Sequence, residues 1–182
     1  MRFGSKEKYA SSARFIALVG ISAATIECGK LVLSFLPNVE VVTLLTALYG
    51  YVFGWLGVCA AAVFVCIEPL IYGMNTWVIT YFIYWPLVAF IFMMLRRARV
   101  RNRFVLTAAA VGLTVFFGIL SSVIDTAIML GVNEYYFTNL LLYYARGMVF
   151  YIVQIACNAV LFPILFVFLS DKLKLIKRNM HL

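Results

Sequence analysis

Six apolar stretches, at about 12–36, 40–53, 55–71, 77–95, 104–130 and 139–170, alternate with short polar breaks along the chain. A bilayer core takes about 20 helical residues to cross, and the apolar runs are of that order, so the pattern predicts a bundle of transmembrane helices rather than strands. The second and third stretches are short. They meet at "FGWLG" (53–57), where Gly54 and Gly57 allow a tight connection, and the expectation is an irregular hairpin that does not fully span. The last two are long enough to tilt or to project beyond the bilayer. The fold expected is therefore an all-α integral membrane protein, one domain over 1–182, with six helices and no internal repeat.

Composition sharpens this picture. Of 182 residues, 65% are hydrophobic and 12% are charged, which is more apolar surface than a soluble domain of this length can hide. No short apolar leader with a small-residue exit precedes a polar domain, so the chain is expected to keep its N-terminus. The net charge of +8 is concentrated in three places: Arg2, Lys6, Lys8 and Arg14; Arg96, Arg97, Arg99, Arg101 and Arg103; and Lys172, Lys174, Lys177 and Arg178. Clusters at the ends of apolar spans are what the positive-inside rule produces. They argue against nucleic acid as a partner. An even count of six crossings puts all three clusters on one side, which predicts a multi-pass protein of the cell membrane with both termini and the 96–103 loop cytoplasmic.

The remaining charges then gather toward the other face. Outer connections at about 34–40, 72–76 and 131–138 hold Glu40 and Glu134, with Glu68 just before the second; Glu27, Lys30, Asp125 and Arg146 fall within a few helical turns. Ionisable groups inside spans are costly and usually pair or line a cavity, so a polar site opening outward is expected. The aromatics of 72–85 and 133–144 are dense on the same side. An interfacial belt accounts for some of them, but not for Tyr81, Tyr84 and Trp85, nor for Arg146 and Asn158 deeper in the sixth helix. The candidate ligand residues are Glu40, Tyr81, Trp85, Asp125, Glu134, Tyr143 and Arg146.

Other motifs carry less. "ATIECGKL" (24–31) is near a P-loop, but Leu31 stands where Ser or Thr should reach magnesium, and no strand precedes it. It reads as a membrane helix in which Glu27 and Lys30, one turn apart, can neutralise each other. That pair is either structural, with Lys30 snorkelling, or part of the site. Ala13, Ala17, Gly20 and Ala24 form one small-residue stripe, suited to close helix contact either within this chain or with a partner. Cys28, Cys59, Cys66 and Cys157 lack Cys-x-x-Cys spacing and His181 is the only histidine; metal and disulfide roles are not expected, and the cysteines read as small core hydrophobes. No carboxylate pair, Ser-His-Asp set or Cys-His pair forms a catalytic constellation.

A small six-helix chain with these basic clusters and this stripe resembles the substrate-binding S component of an energy-coupling factor (ECF) vitamin transporter. "LPNVEVVTLLTALYGYVFGWLG" (36–57) and "YFIYWPLVAFI" (81–91) look like the corresponding stretches of that family, and the resemblance covers nearly the whole chain. It implies a transport subunit and not an enzyme. No cofactor would be bound by this chain; ATP and Mg would act on two cytoplasmic ATPase subunits joined through a transmembrane coupling subunit. Ala13-x-x-x-Ala17 and Gly20-x-x-x-Ala24 match the stripe by which the family meets its coupling subunit, and toppling in the bilayer would release the vitamin. Within the family the resemblance is nearest to the cobalamin type, and a corrinoid would want aromatic walls with mixed donors and acceptors. A queuosine precursor or pantothenate is the alternative, as is a structural subunit of a membrane complex. A stand-alone carrier would usually show repeated halves, which are absent from this sequence.

Overall fold

The computed structural model describes residues 3–37 and 39–179, with side chains from Ser12 onward. Arg2, Asn38 and His181 lie outside the described residues, as do the side chains of Lys6 and Lys8. The elements are α1 (Phe3–Leu33), α2 (Val42–Phe53), α3 (Trp55–Tyr72), α4 (Thr76–Arg97), α5 (Arg103–Met129) and α6 (Tyr136–Leu161), the last running through a π-helical segment (Phe162–Phe166) into α7 (Val167–Asn179). Five helical stretches are long and apolar enough to cross a membrane. Of the two stretches expected to form a hairpin that does not fully span, α3, with 18 residues, is one of these five, while α2 has 12 residues and rises only about 18 Å. That is short of a hydrocarbon core of about 30 Å. Ten of its residues are buried against neighbouring helices, so its ends meet protein rather than lipid, the condition under which a short helix is tolerated at membrane depth.

Local signals explain the boundaries. The Asn75 side chain accepts from Thr76 N at 2.6 Å and Asn102 accepts from Phe104 N at 2.9 Å, each satisfying an amide that the start of a helix leaves free. Between α2 and α3 the chain reverses at Gly54 with φ +66°, a conformation that favours glycine. Gly50 lets α2 touch α4 directly: a Cβ there would lie 2.1 Å from the Ala89 carbonyl oxygen. The last apolar stretch does not end at 170 as expected. The helix continues to Asn179 because hydropathy marks where apolar residues stop, not where backbone hydrogen bonding does. Pro163, lacking an amide hydrogen, sits within the π segment, the kind of local widening that proline induces.

The loop after α4, the end of α2 and α7 meet at one end of the bundle. Tyr51 Oη donates to Val100 O at 2.8 Å, and Lys177 Nζ donates to Val52 O at 3.0 Å. Asp171 pairs with Lys174 at 2.8 Å and with Arg101 at 3.5 Å. Two of the basic clusters read from sequence are thus neighbours in space. Beneath them Phe92, Phe162, Phe166 and Tyr51 pack ring against ring at centroid distances of 5.2–5.6 Å. The cysteines depart from expectation: Cys28 and Cys66 are exposed, and Cys59 and Cys157 half-buried. An apolar outer surface suits a membrane, so a small apolar residue need not be in the core.

Candidate functional site

Opposite the basic end, the α1–α2 connection and the facing ends of α1, α3 and α4 enclose a cavity of about 290 Å³. Glu40, just before α2, forms part of its wall. Its Oε2 accepts from Thr43 N at 2.8 Å, and its Oε1 accepts from Thr43 Oγ1 at 2.6 Å and from Asn158 Nδ2 at 2.8 Å. The first of these bonds satisfies a free amide of α2, where the helix dipole also favours a negative group. Asn158 Nδ2 donates further to Thr114 Oγ1 at 3.1 Å. One buried amide therefore ties the α1–α2 connection to α5 and α6.

The remaining wall is aromatic. Tyr81, Tyr84 and Trp85 project from α4 into the same space as Phe64 of α3 and Phe117 of α5. Tyr84 and Trp85 rings lie 4.8 Å apart, Tyr81 and Trp85 5.6 Å, and Tyr84 and Phe117 4.8 Å, in the tilted and edge-on arrangements that ring quadrupoles prefer. Trp85 is 6% exposed, and its Nε1 is buried without a protein partner.

At the rim, the expected Glu27–Lys30 pair is replaced by a cross-helix one. Lys30 Nζ donates to both carboxylate oxygens of Glu68 on α3, at 2.6 Å to Oε1, and Glu68 is 0% exposed. The ammonium also lies 4.0 Å from the centre of the Tyr72 ring, a cation–π contact. Glu27 instead accepts from Tyr72 Oη at 3.3 Å, and its second oxygen is buried and unpartnered. Spacing of one turn permits a pair along α1; Glu68 wins because its fully buried carboxylate needs a counter-charge more.

The residues expected at the ligand site divide. Glu40, Tyr81 and Trp85 line the cavity. Asp125, Tyr143 and Arg146 line a separate open hollow with Thr76 and Phe150, where Arg146 sits 5.9 Å over the Tyr143 ring and Asp125 accepts from Ser121 Oγ at 3.3 Å. Glu134 is exposed in the α5–α6 connection and lines neither space. The sequence leaves Lys30 open, sets Tyr84 and Asn158 apart from the interfacial belt without placing them among the selected ligand residues, and does not single out Tyr72 or Thr114. Their shared signal was visible: an isolated polar group or hydroxyl inside an apolar helix, at the depth of the residues that were selected.

Ala13, Ala17, Gly20 and Ala24 are all exposed, and a Cβ added at Gly20 would meet nothing within 4 Å. The opposite face of α1, with Val19, Ser22, Ala23, Ile26 and Glu27, is the one that packs on the bundle. The stripe is therefore not covered by the rest of this chain. Among the described residues no group of His, Cys, Asp and Glu could hold a metal ion. Comparison with family models, with curated proteins and with solved structures gave no match.

Proposed function

We propose that the chain is the substrate-binding S component of an ECF-type importer. It captures a water-soluble micronutrient in the cavity on the outer side, then delivers it inward by docking its α1 stripe on a transmembrane coupling subunit, with ATP hydrolysed by two cytoplasmic subunits. One observation carries this reading: a cavity with aromatic walls and convergent polar groups lies opposite the basic end, in a chain whose small-residue stripe is left uncovered. Concave, mostly apolar sites with a few placed polar groups are what small ligands occupy, and a bare small-residue stripe is suited to close approach of another helix.

The size of the space bears on the vitamin. At about 290 Å³ it is at the lower limit of ligand pockets, and a corrinoid is several times larger. A compact vitamin or base precursor suits a space of this size better than a corrinoid.

Ala17→Trp and Gly20→Trp test the coupling role. Each places a large side chain on the exposed stripe, far from the cavity. The expected outcome is loss of radiolabelled uptake in cells that also express the coupling module, with binding by the isolated protein within twofold of wild type. Uptake at wild-type rate in both variants would remove the stripe from the mechanism.

A further inference from the structure

We propose that the outer cavity selects a compact, flat molecule carrying positive charge, such as a protonated amine or quaternary nitrogen on a heteroaromatic ring. This rests on the capture reading above and narrows its substrate class. The argument begins with charge. Glu40 accepts from three neutral donors, Thr43 N, Thr43 Oγ1 and Asn158 Nδ2, none of which carries a counter-charge. Lys30 faces the same space, but its ammonium is committed to both oxygens of Glu68. Glu27, 7% exposed, has the Tyr72 hydroxyl on one oxygen and lies against the Glu68 carboxyl. The cavity and its rim thus hold three acidic side chains and one ammonium, which pairs with Glu68.

Glu40 is half-buried with no counter-charge of its own among these donors, and a cationic ligand supplies one on entry. An anion meets the opposite situation, since the single ammonium already has its partner. Shape agrees with charge. The faces of Tyr81, Tyr84 and Trp85 attract cations as well as flat rings, and Lys30 over the Tyr72 ring shows that contact already in use within the site. Oε2 of Glu40 accepts one bond and has a lone pair left for an N–H donor.

Calorimetry on the purified full chain with probes of opposite sign tests this. The cations are 1-methylnicotinamide, thiamine and 7-aminomethyl-7-deazaguanine; the anions are nicotinate, pantothenate and biotin. The expected result is that at least one cation binds, that 1-methylnicotinamide binds at least tenfold more tightly than nicotinate, which shares its ring, and that Glu40→Gln reduces this preference at least fivefold. Gln keeps the acceptor oxygen for Thr43 Oγ1 and Asn158 while its NH2 replaces the oxygen facing Thr43 N, and circular dichroism reports whether the variant folds. The wild-type ratio stands as a test even where it does not. Tighter binding of nicotinate, or of pantothenate or biotin with no cation bound, overturns the charge assignment and leaves the capture reading intact. Binding of none of the six by folded protein overturns both.

Discussion

Helices α2 and α6 are both apolar and both contribute to the site, yet they are held in opposite ways. In α2, ten of twelve residues are buried. In α6, only Asn158 of 26 is. The short helix is fixed from all sides by α3, α4, α5 and the α7 end, whereas the long one leans chiefly on α5 and offers most of its surface outward. In a membrane both sequences can be equally hydrophobic, because lipid and protein core accept the same side chains. What differs is the cost of change: a residue on α2 has no room to move, and one on α6 has a fluid neighbour.

Three substitutions break or sharpen that contrast. The largest effect is expected for Gly50→Val on α2, since even the first added carbon would sit 2.1 Å from the Ala89 carbonyl oxygen. Overpacking costs about 1–3 kcal/mol, occasionally more, and contact with backbone places this site at the upper end; thermal unfolding in detergent should show a large loss or no folded protein. A melting curve like that of wild type would mean α2 is less tightly enclosed than described. Asn158→Ala on α6 should cost about 1.5–3 kcal/mol, as expected for a bond to a charged group, and should also weaken ligand binding by freeing Glu40. Denaturant titration and calorimetry on one preparation separate the two effects. Unchanged binding would detach Asn158 from the site. The smallest effect is expected for Arg146→Gln, exposed on α6. Stability should stay within about 0.5 kcal/mol, and binding in the cavity should be unaltered, because Arg146 lines the other hollow.

The contrast also marks what the sequence could disclose. Hydropathy located every helix to within a few residues, apart from the polar extensions at Phe3–Ser11 and 171–179, because burial in lipid and burial in protein leave the same apolar signature. For that reason it separates α2 from α6 by length but not by how far protein encloses each. Nor could it pair Lys30 with Glu68, 38 residues away, since the pairing depends on how α1 meets α3. Tyr81 and Trp85, four apart on α4, share a helix face and were rightly grouped. Grouping them with Tyr143 and Arg146 required the relative rotation of α4 and α6, which no periodicity within either helix contains.

The π-helical segment at Phe162–Phe166 has a consequence for the helix that contains it. The buried positions Asn158, Phe162, Phe166 and Ser170 recur every four residues. Along a regular α-helix such a row drifts by about 40° per step, and would have wound well away from the bundle by Ser170. A wider turn, bonded i to i+5, cancels much of this drift. It acts as a phase corrector: the same rod that turns an amide toward the cavity at one end turns its lysines toward α2 at the other. Straightening it into a regular α-helix of the same length would put its two ends out of step by about 120°, and Lys177 would lose its hold on the Val52 carbonyl, whereas deleting one residue there would leave them nearly in phase.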